Sequence, residues 1–342
     1  MITTTEIADW LRSRPGRVRV AGTGSQVDTL PSKSDATKLD LSERNQIIRL
    51  DPGDQTCTVE GGVLRSQLDA ALAEHDLELP CLGSGTIAGI FASDPFGPAG
   101  PGSIGPRNLL LGIDAMLADG TTFKSGAPVV KSVAGFDVHK LFVGSRGRLF
   151  LVMQMHLRLK PRPRSEQWFA NRLLTMDEAI ALLHALRDEA QPPTTLQLRR
   201  ERDGKFIVYG RVTGRATHTK SLCKRHALAT CEPITSFSLA ADLASGEEVI
   251  AGNVLPSQLQ KLLSSTPPQA PFTWLAGGRF ETATSSPEAS DALLQTLSQT
   301  RVPAMVFVGA EHRRCIGTSL DAGEQQLADG LKKALDPDDI LV

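Results

Sequence analysis

The sequence contains no run of about 18 apolar residues, the length that a membrane-spanning helix requires. Its first residues, MITTTEIADW, lack the basic and apolar regions of a signal peptide. Cysteine is scarce, with five in the chain and none in a C-x-x-C pair. This sparse, odd count is expected of a reduced cytosolic protein. It also argues against an iron–sulfur cluster held by this chain alone, since such a cluster needs a full set of thiolates.

Neither sign of charge dominates. The 37 lysines and arginines almost balance the 38 aspartates and glutamates, for a net charge of −1. This balance excludes a basic field over the whole surface, of the kind that binds nucleic acid or anionic membranes. No His-x-x-x-His spacing or acidic cluster indicates a metal, and no Gly-x-Ser-x-Gly elbow indicates a hydrolase. Tyr209, the single tyrosine, leaves one candidate for a tyrosine base.

The length of 342 residues predicts about two domains. Lys160-Pro-Arg-Pro-Arg164 combines prolines with cations and predicts a stiff, solvated connector. We therefore expect a first domain over residues 1–163 and a second over residues 164–342. In the second, alternating strands and helices predict an antiparallel sheet with helices on one face, and the chain ends in a helix over Gln325–Leu335.

A first glycine-rich stretch follows a predicted strand and reads Ala21-Gly22-Thr23-Gly24-Ser25. Small residues let several backbone N–H groups converge on an anion, which suits a pyrophosphate. Position 27 is valine where a dinucleotide-binding Rossmann turn has its third glycine, so this is not a Rossmann turn. A simple tight turn is the alternative interpretation.

A second stretch of small residues spans 83–93, and prolines alternate with glycines from 95 to 106. From this composition we expect no helix over residues 81–108. A loop of this length inside a compact domain is functional or disordered. The functional interpretation requires both glycine-rich stretches to line one cofactor, whereas a flexible loop is the alternative.

Residues 132–147 read SVAGFDVHKLFVGSRG and lead into a predicted strand that ends in LRLKPRP. These motifs resemble the hallmark of vanillyl-alcohol-oxidase/p-cresol-methylhydroxylase-type FAD-binding proteins, and among them the FAD-binding E subunits of bacterial glycolate oxidases. The pyrophosphate loop at Val20–Ser25 and the flavin loop at Thr86–Ser93 follow in the same order. The resemblance covers residues 15–163, and beyond them it extends to the layout and to the motif LKKALDP over residues 331–337.

This resemblance implies an α+β protein with a two-subdomain FAD-binding domain followed by a ferredoxin-like α+β cap domain. It implies FAD with its pyrophosphate on residues 21–25. Because residues 21–26 offer no His or Cys for a covalent link, the FAD is expected to be non-covalent. The resemblance also places these residues around the cofactor: Gly83, Thr86, Ala88, Gly89, Ser93, Gly135 and Val152.

Three departures from the family pattern bear on the cofactor. Ala88 stands where relatives have glycine, and Phe150 stands at a position that they keep small. The Pro/Gly run over residues 94–106 replaces their usual loop. We expect Ala88 to crowd the cofactor and Phe150 to fill part of its space.

The resemblance implies that this chain is the FAD-binding subunit of a glycolate-oxidase-like 2-hydroxy-acid dehydrogenase. Such a subunit would pass electrons from the substrate through its flavin to partner subunits. Those partners are a second flavoprotein subunit and an iron–sulfur subunit. We expect a cytoplasmic protein, or one that reaches the inner membrane through its partners. Two alternatives stay open: a degenerate, non-catalytic subunit that acts as a structural partner, and a stand-alone FAD oxidase.

Oxidation of a 2-hydroxy acid needs a base for the hydroxyl proton and a cation for the carboxylate. His312 and Arg313 supply both residue types after a predicted strand, and Arg279 follows a Gly-Gly pair at another strand. These three are the catalytic candidates. The alternative is that they lie in solvated loops.

Overall fold

The computed structural model describes residues 2–13, 16–24, 36–94, 96–129, 136–173, 175–233, 237–239, 243–244, 246–308 and 322–342. The strands of its first unit are β1 (Val18–Ala21), β2 (Thr37–Asp40), β3 (Ile47–Asp51), β4 (Thr56–Glu60), β5 (Leu77–Glu78), β6 (Leu110–Met116), β7 (Thr122–Gly126), β8 (Leu151–Arg158) and β9 (Lys160–Pro161). Its helices are α1 (Thr4–Arg12), α2 (Arg65–Ala73), α3 (Ile87–Ser93) and α4 (Pro106–Leu109), with a 3-10 helix over Val138–Phe142.

A small parallel sheet carries the first glycine-rich stretch. β1 pairs with β2 along its whole length. Helix α1 begins at a capping box formed by Thr3 and Glu6, and it buries Ile7 and Leu11 in the core beneath this sheet. Since β1 runs directly into Gly22, the packing of this small sheet fixes where the glycine-rich loop starts.

A five-stranded antiparallel sheet forms the larger part of the first unit, in the order β3-β4-β8-β6-β7. Its central strands share one hydrophobic core with α2 and α3. Leu68 and Leu72 of α2 and Ile87 and Ile90 of α3 are fully buried there. The core therefore fixes α3, which carries the second glycine-rich stretch.

The second unit begins at Ser165, after the connector. Its elements, in chain order, are β10 (Ser165–Leu173), α5 (Met176–Arg187), β11 (Thr195–Arg200), β12 (Phe206–Gly214), α6 (Ala216–Arg225), β13 (Thr230–Cys231), β14 (Glu248–Asn253), α7 (Leu259–Ser265), β15 (Phe272–Leu275), β16 (Arg279–Thr284), α8 (Pro287–Gln299) and β17 (Ala304–Val308).

These elements form two similar halves that share one sheet. Each half runs strand, helix, strand, strand, helix, strand, and the sheet order is β13-β10-β12-β11-β15-β16-β14-β17. The first half thus has the order fourth, first, third, second, and the second half mirrors it. This is the split βαβ, ferredoxin-like arrangement. All its strand pairs are antiparallel, and α5 to α8 contribute to a single core. The predicted α+β class with a ferredoxin-like second unit is confirmed.

Two predicted features were wrong. Residues 81–108 contain α3, because the prolines of this region begin only at Pro95 and Thr86 caps the helix through a bond from the Gly89 amide. The sequence over residues 133–143, bounded by glycines, also predicts a full helix. Within the described part of that range the structure has only the short 3-10 helix.

The last residues of the chain pair with its first strand. Helix α9 (Ala322–Leu335) is followed by a tail whose Leu341 forms a parallel bridge with Val18 of β1. The last residues of the chain thereby join the small sheet of the first unit. Among the described residues, no helix is long and apolar enough to cross a membrane.

Candidate cofactor and substrate site

The loop after β1 lies against the start of α3. A Cβ atom added at Gly22 would stand 2.5 Å from both Cγ2 and Oγ1 of Thr86, so only glycine permits this approach. Gly24 has a φ of +83°, a conformation that glycine adopts without strain. The two glycine-rich stretches, separated by about sixty positions in the sequence, therefore meet at one place.

Two backbone amides of this loop, those of Gly22 and Gly24, could serve a ligand. No hydrogen bond within the described part of the chain uses the N–H groups of Gly22 and Gly24. Space is open around Gly24, since an added Cβ would meet nothing within 4 Å. Unused amides on a small-residue turn are the groups that an anion nest needs. The loop over residues 22–24 therefore fits the pyrophosphate of FAD.

The first turn of α3 contributes less than the sequence suggests. The Ile87 amide donates to Val63 O at 2.8 Å, and the Ala88 amide donates to Gly61 O at 3.0 Å. The Gly89 amide donates to Thr86 Oγ1 at 3.2 Å. Because the chain itself satisfies these donors, contacts to an anion here fall to the loop after β1.

The two residues that we expected to obstruct the cofactor, Ala88 and Phe150, pack against neighbours within the first unit. The Ala88 methyl group packs beside Gly61, at 3.0 Å from the position of an added Cβ there. Phe150 is 0% exposed, and its ring lies 5.3 Å from Phe123 and 6.1 Å from Phe142, measured between centroids. Phe150 is thus a member of the aromatic core of the first unit.

The remaining predicted cofactor residues are spread around α3 and β8. Gly83 has a φ of +133° and packs on Ile90. Ser93 donates its hydroxyl to Gly89 O at 2.7 Å, inside its own helix. Val152 is buried on β8. Four predicted site residues lie outside the described residues: Ser25, Gly135, His312 and Arg313.

The Pro/Gly run joins the two units. The Leu196 amide of β11 donates to Ala99 O at 3.0 Å, and the Gly102 amide donates to Pro193 O at 3.1 Å. An added Cβ at Gly277 would stand within 2.1 Å of Pro98 O. Small residues are needed here because backbone meets backbone across the boundary. The altered loop is thus a docking element between the units.

Arg279 lies at this boundary, at the start of β16. Its side chain is 13% exposed, and Nη2 stands 3.7 Å from Glu281 Oε1. Burial lowers the pKa of this guanidinium, while Glu281 acts in the opposite direction. Asp94 and Arg146, both from the first unit, also act on it electrostatically. Burial raises the pKa of the Asp94 carboxyl.

This charged cluster was only partly predicted. Arg279 was a candidate from its position after a glycine pair, whereas Asp94, Arg146 and Glu281 were missed. Arg146 has a φ of +56° and lies in the Ser-Arg-Gly turn of the recognised motif, which was the available signal. Nothing local in the sequence marks Asp94 or Glu281, because their neighbours are far away along the chain.

An apolar wall adjoins the charged cluster. The Phe237 ring lies 6.2 Å from that of Phe96 and 6.4 Å from that of Trp168. Gln197 Nε2 donates to Phe237 O at 2.9 Å. Beside it, Glu281 accepts bonds of 2.8 Å from the hydroxyl of Ser238 and from the next amide. The boundary thus combines a buried cation with aromatic surface, a pairing suited to a small organic acid.

The comparisons with known proteins fit this geometry. A family profile described as an FAD binding domain matches residues 4–126. The chain is 27% identical to glycolate oxidase subunit GlcD of Bacillus subtilis, over 52% of this chain and 39% of that protein. It is 29% identical to glycolate oxidase subunit GlcE of Escherichia coli, over 45% of this chain and 43% of that protein. The chain is 27% identical to a D-lactate dehydrogenase of Archaeoglobus fulgidus, over 49% of this chain and 38% of that protein.

Among solved structures, two of alkyldihydroxyacetonephosphate synthase superpose with TM-scores of 0.68 and 0.71. Each superposition covers 98% of this chain and 74% of the synthase chain, at 12% and 13% sequence identity. This likeness shows a shared fold. The chain spans about two fifths of the length of the curated relatives it matches. The predicted FAD-binding domain, and FAD as its cofactor, are confirmed.

Replacing Gly24 with valine should weaken FAD binding at least about tenfold. Loss of one charge-assisted hydrogen bond is worth about 1.5–3 kcal/mol, and 1.4 kcal/mol corresponds to a factor of ten. Fluorescence quenching measures the affinity. Gly16→Val is the matched control, because Gly16 has a φ of +85° and equally open surroundings at the other end of β1. Equal affinities in both variants would show that the loop is only a turn.

Phe150→Ala should destabilise the first unit by about 3–5 kcal/mol, as expected for a large aromatic side chain lost from a core. Urea denaturation measures this change. Phe136→Ala is the control, since that ring is 93% exposed and its loss should leave stability unchanged. Tighter FAD binding by the Phe150 variant without loss of stability would place the ring in cofactor space instead.

Proposed function

Taking residues 4–126 as an FAD-binding domain, we propose that this chain is the FAD-binding subunit of a glycolate-oxidase-like 2-hydroxy-acid dehydrogenase. The observation that carries the proposal is the close approach of Gly22 to Thr86 at the loop over residues 22–24, where no hydrogen bond among the described residues uses the amides of Gly22 and Gly24. Bound FAD would supply the acceptor for a hydride from the substrate carbon. The named relatives include subunits of glycolate oxidases and a D-lactate dehydrogenase, which supports this substrate class.

Within this proposal, Arg279 binds the substrate carboxylate. It lies at the start of β16 and is under the electrostatic influence of Asp94, the residue directly after α3. Glu281 is held by the hydroxyl of Ser238 and the amide of Leu239, so it gives Arg279 a fixed neighbour. A cation held in place before substrate arrives has less freedom to lose on binding. His312 and Arg313 remain proposed as base and second cation.

We also propose that electrons leave this flavin for a second flavoprotein subunit and an iron–sulfur subunit. The five scattered cysteines support this, because the chain alone would not supply the thiolates of a cluster. Two relatives are themselves named as subunits. The proposed location is the cytoplasm, with contact to the inner membrane through partners.

One observation favours a second candidate, a non-catalytic subunit with the same fold. The chain satisfies the first amides of α3 itself, and Arg279 has a carboxylate neighbour in Glu281. A subunit that serves only as a structural partner would need neither group for a ligand. This candidate predicts a folded chain that retains no flavin.

An absorption spectrum with and without added FAD separates these two candidates. We expect bound-flavin bands, and anaerobic bleaching of those bands by a 2-hydroxy acid. A protein that shows no flavin bands, and whose melting temperature FAD does not change, would refute the catalytic proposal and favour the structural one. Rapid reoxidation of the reduced flavin by oxygen without partners would favour a stand-alone oxidase.

Arg279→Met should raise KM for the 2-hydroxy acid about tenfold to a hundredfold, because a charge-assisted hydrogen bond worth about 1.5–3 kcal/mol is lost. The flavin spectrum should stay unchanged. Arg279→Lys keeps the charge beside Glu281, and its KM should lie between those of the parent and of Arg279→Met. This variant controls for an uncompensated buried carboxylate. Arg172→Met, at an exposed position on β10 of the same sheet, is the control for charge alone. An unchanged KM in Arg279→Met would remove this residue from the substrate site.

A further inference from the structure

The ammonium group of Lys332 forms hydrogen bonds to three other residues. Lys332, in the last turns of α9, donates to Arg148 O at 2.9 Å, to Leu341 O at 2.6 Å and to the carboxylate of Asp336. A lysine has three N–H donors, so this arrangement uses all of them. The side chain is 19% exposed, which places these bonds largely out of solvent.

Asp336 extends this network to the tail. Its buried carboxylate accepts the Ile340 amide at 3.0 Å and the Leu341 amide at 2.7 Å. Charge-assisted bonds of this kind are stronger than neutral ones. The tail after α9 is therefore fixed by a lysine–aspartate pair and the two amides that the carboxylate binds.

The fixed tail forms an edge of the small sheet that carries the cofactor loop. The Val18 amide donates to Ile340 O at 2.7 Å, and the Val342 amide donates to Val18 O at 3.0 Å. Ile340 and Leu341 are buried in the same core as α1, β1 and β2. The tail thus supports β1, the strand that ends at the loop over residues 22–24.

The third bond of Lys332 reaches the other side of that loop. Arg148 belongs to a turn over residues 144–149 that packs beside β1, where an added Cβ at Gly147 would lie 3.8 Å from Val20. The same turn is bonded to α3, since the Gly144 amide donates to Phe91 O at 3.0 Å and the Arg146 amide to Ala92 O at 2.8 Å. Lys332 therefore connects the support of β1 to the support of α3.

We propose that Lys332 is a positioning residue of the FAD site. It fixes the distance between the loop over residues 22–24 and α3, and so keeps the amides of Gly22 and Gly24 in place for the pyrophosphate. The proposal rests on the proposed binding of FAD at this loop. Arginine would not replace lysine here, because a planar guanidinium does not match three acceptors spread around one nitrogen.

The test compares Lys332→Met with Lys333→Met, a neighbour on the same helix that is exposed. We expect FAD to bind at least tenfold more weakly to Lys332→Met, by fluorescence quenching, and with parental affinity to Lys333→Met. Lys332→Gln keeps two donors and should give a smaller loss, which keeps the test informative if the methionine variant folds poorly. Leu294→Ala, in the core of the second unit, should lower the melting temperature without lowering FAD affinity.

Amide hydrogen exchange on the apo protein gives a readout that does not depend on FAD. We expect faster exchange at Val18 and in the tail of Lys332→Met, and parental exchange in Lys333→Met. Unchanged exchange, unchanged FAD affinity, or an affinity loss in Leu294→Ala equal to that in Lys332→Met would overturn the proposal. If the parental protein binds no FAD, yet exchange is still faster in Lys332→Met than in Lys333→Met, the proposed function would be refuted instead.

Discussion

The approach of Gly22 to Thr86 is the contact on which the candidate cofactor site depends. A backbone without a side chain lies against the capping residue of a helix, and a single added carbon would overlap Thr86. This contact brings the end of β1 to the start of α3. β1 belongs to the core of the small sheet, whereas α3 belongs to the core of the five-stranded sheet. The small sheet, its core and the returning tail all act to hold one side of the contact in place. The larger core holds the other side.

The same physical device recurs at the boundary between the two units. There, Gly102 and Gly277 permit backbone contacts with Pro192 and Pro98 that any side chain would prevent. Backbone hydrogen bonds across such contacts fix orientation with little conformational freedom left to lose. The buried charges follow from this closeness, since Arg279 of the second unit comes under the influence of Asp94 and Arg146 of the first. A cation isolated on the surface of the second unit would remain hydrated, whereas at this boundary Arg279 is largely buried.

Much of the fold could be predicted from the sequence because its signals are local. The order of the glycine-rich stretches, the motif over residues 132–147 and the repeated strand–helix pattern of the second half each lie within a short window. The direction of a side chain is a different matter. Phe150 was expected to fill cofactor space, and no local signal shows that its ring packs on Phe123 inside the core. Two bonds of Lys332 join positions about 180 and nine residues away, and no local pattern predicts those two.

The central claim is that the amides of Gly22 and Gly24 bind the pyrophosphate of FAD. Nitrogen–proton NMR of labelled protein observes those two amides directly while FAD or riboflavin, which has no phosphate, is added. The account predicts downfield shifts of both amide protons with FAD, as they form charge-assisted hydrogen bonds, and no such shifts with riboflavin. Resonances that stay in place with FAD, or that move equally with riboflavin, would contradict it.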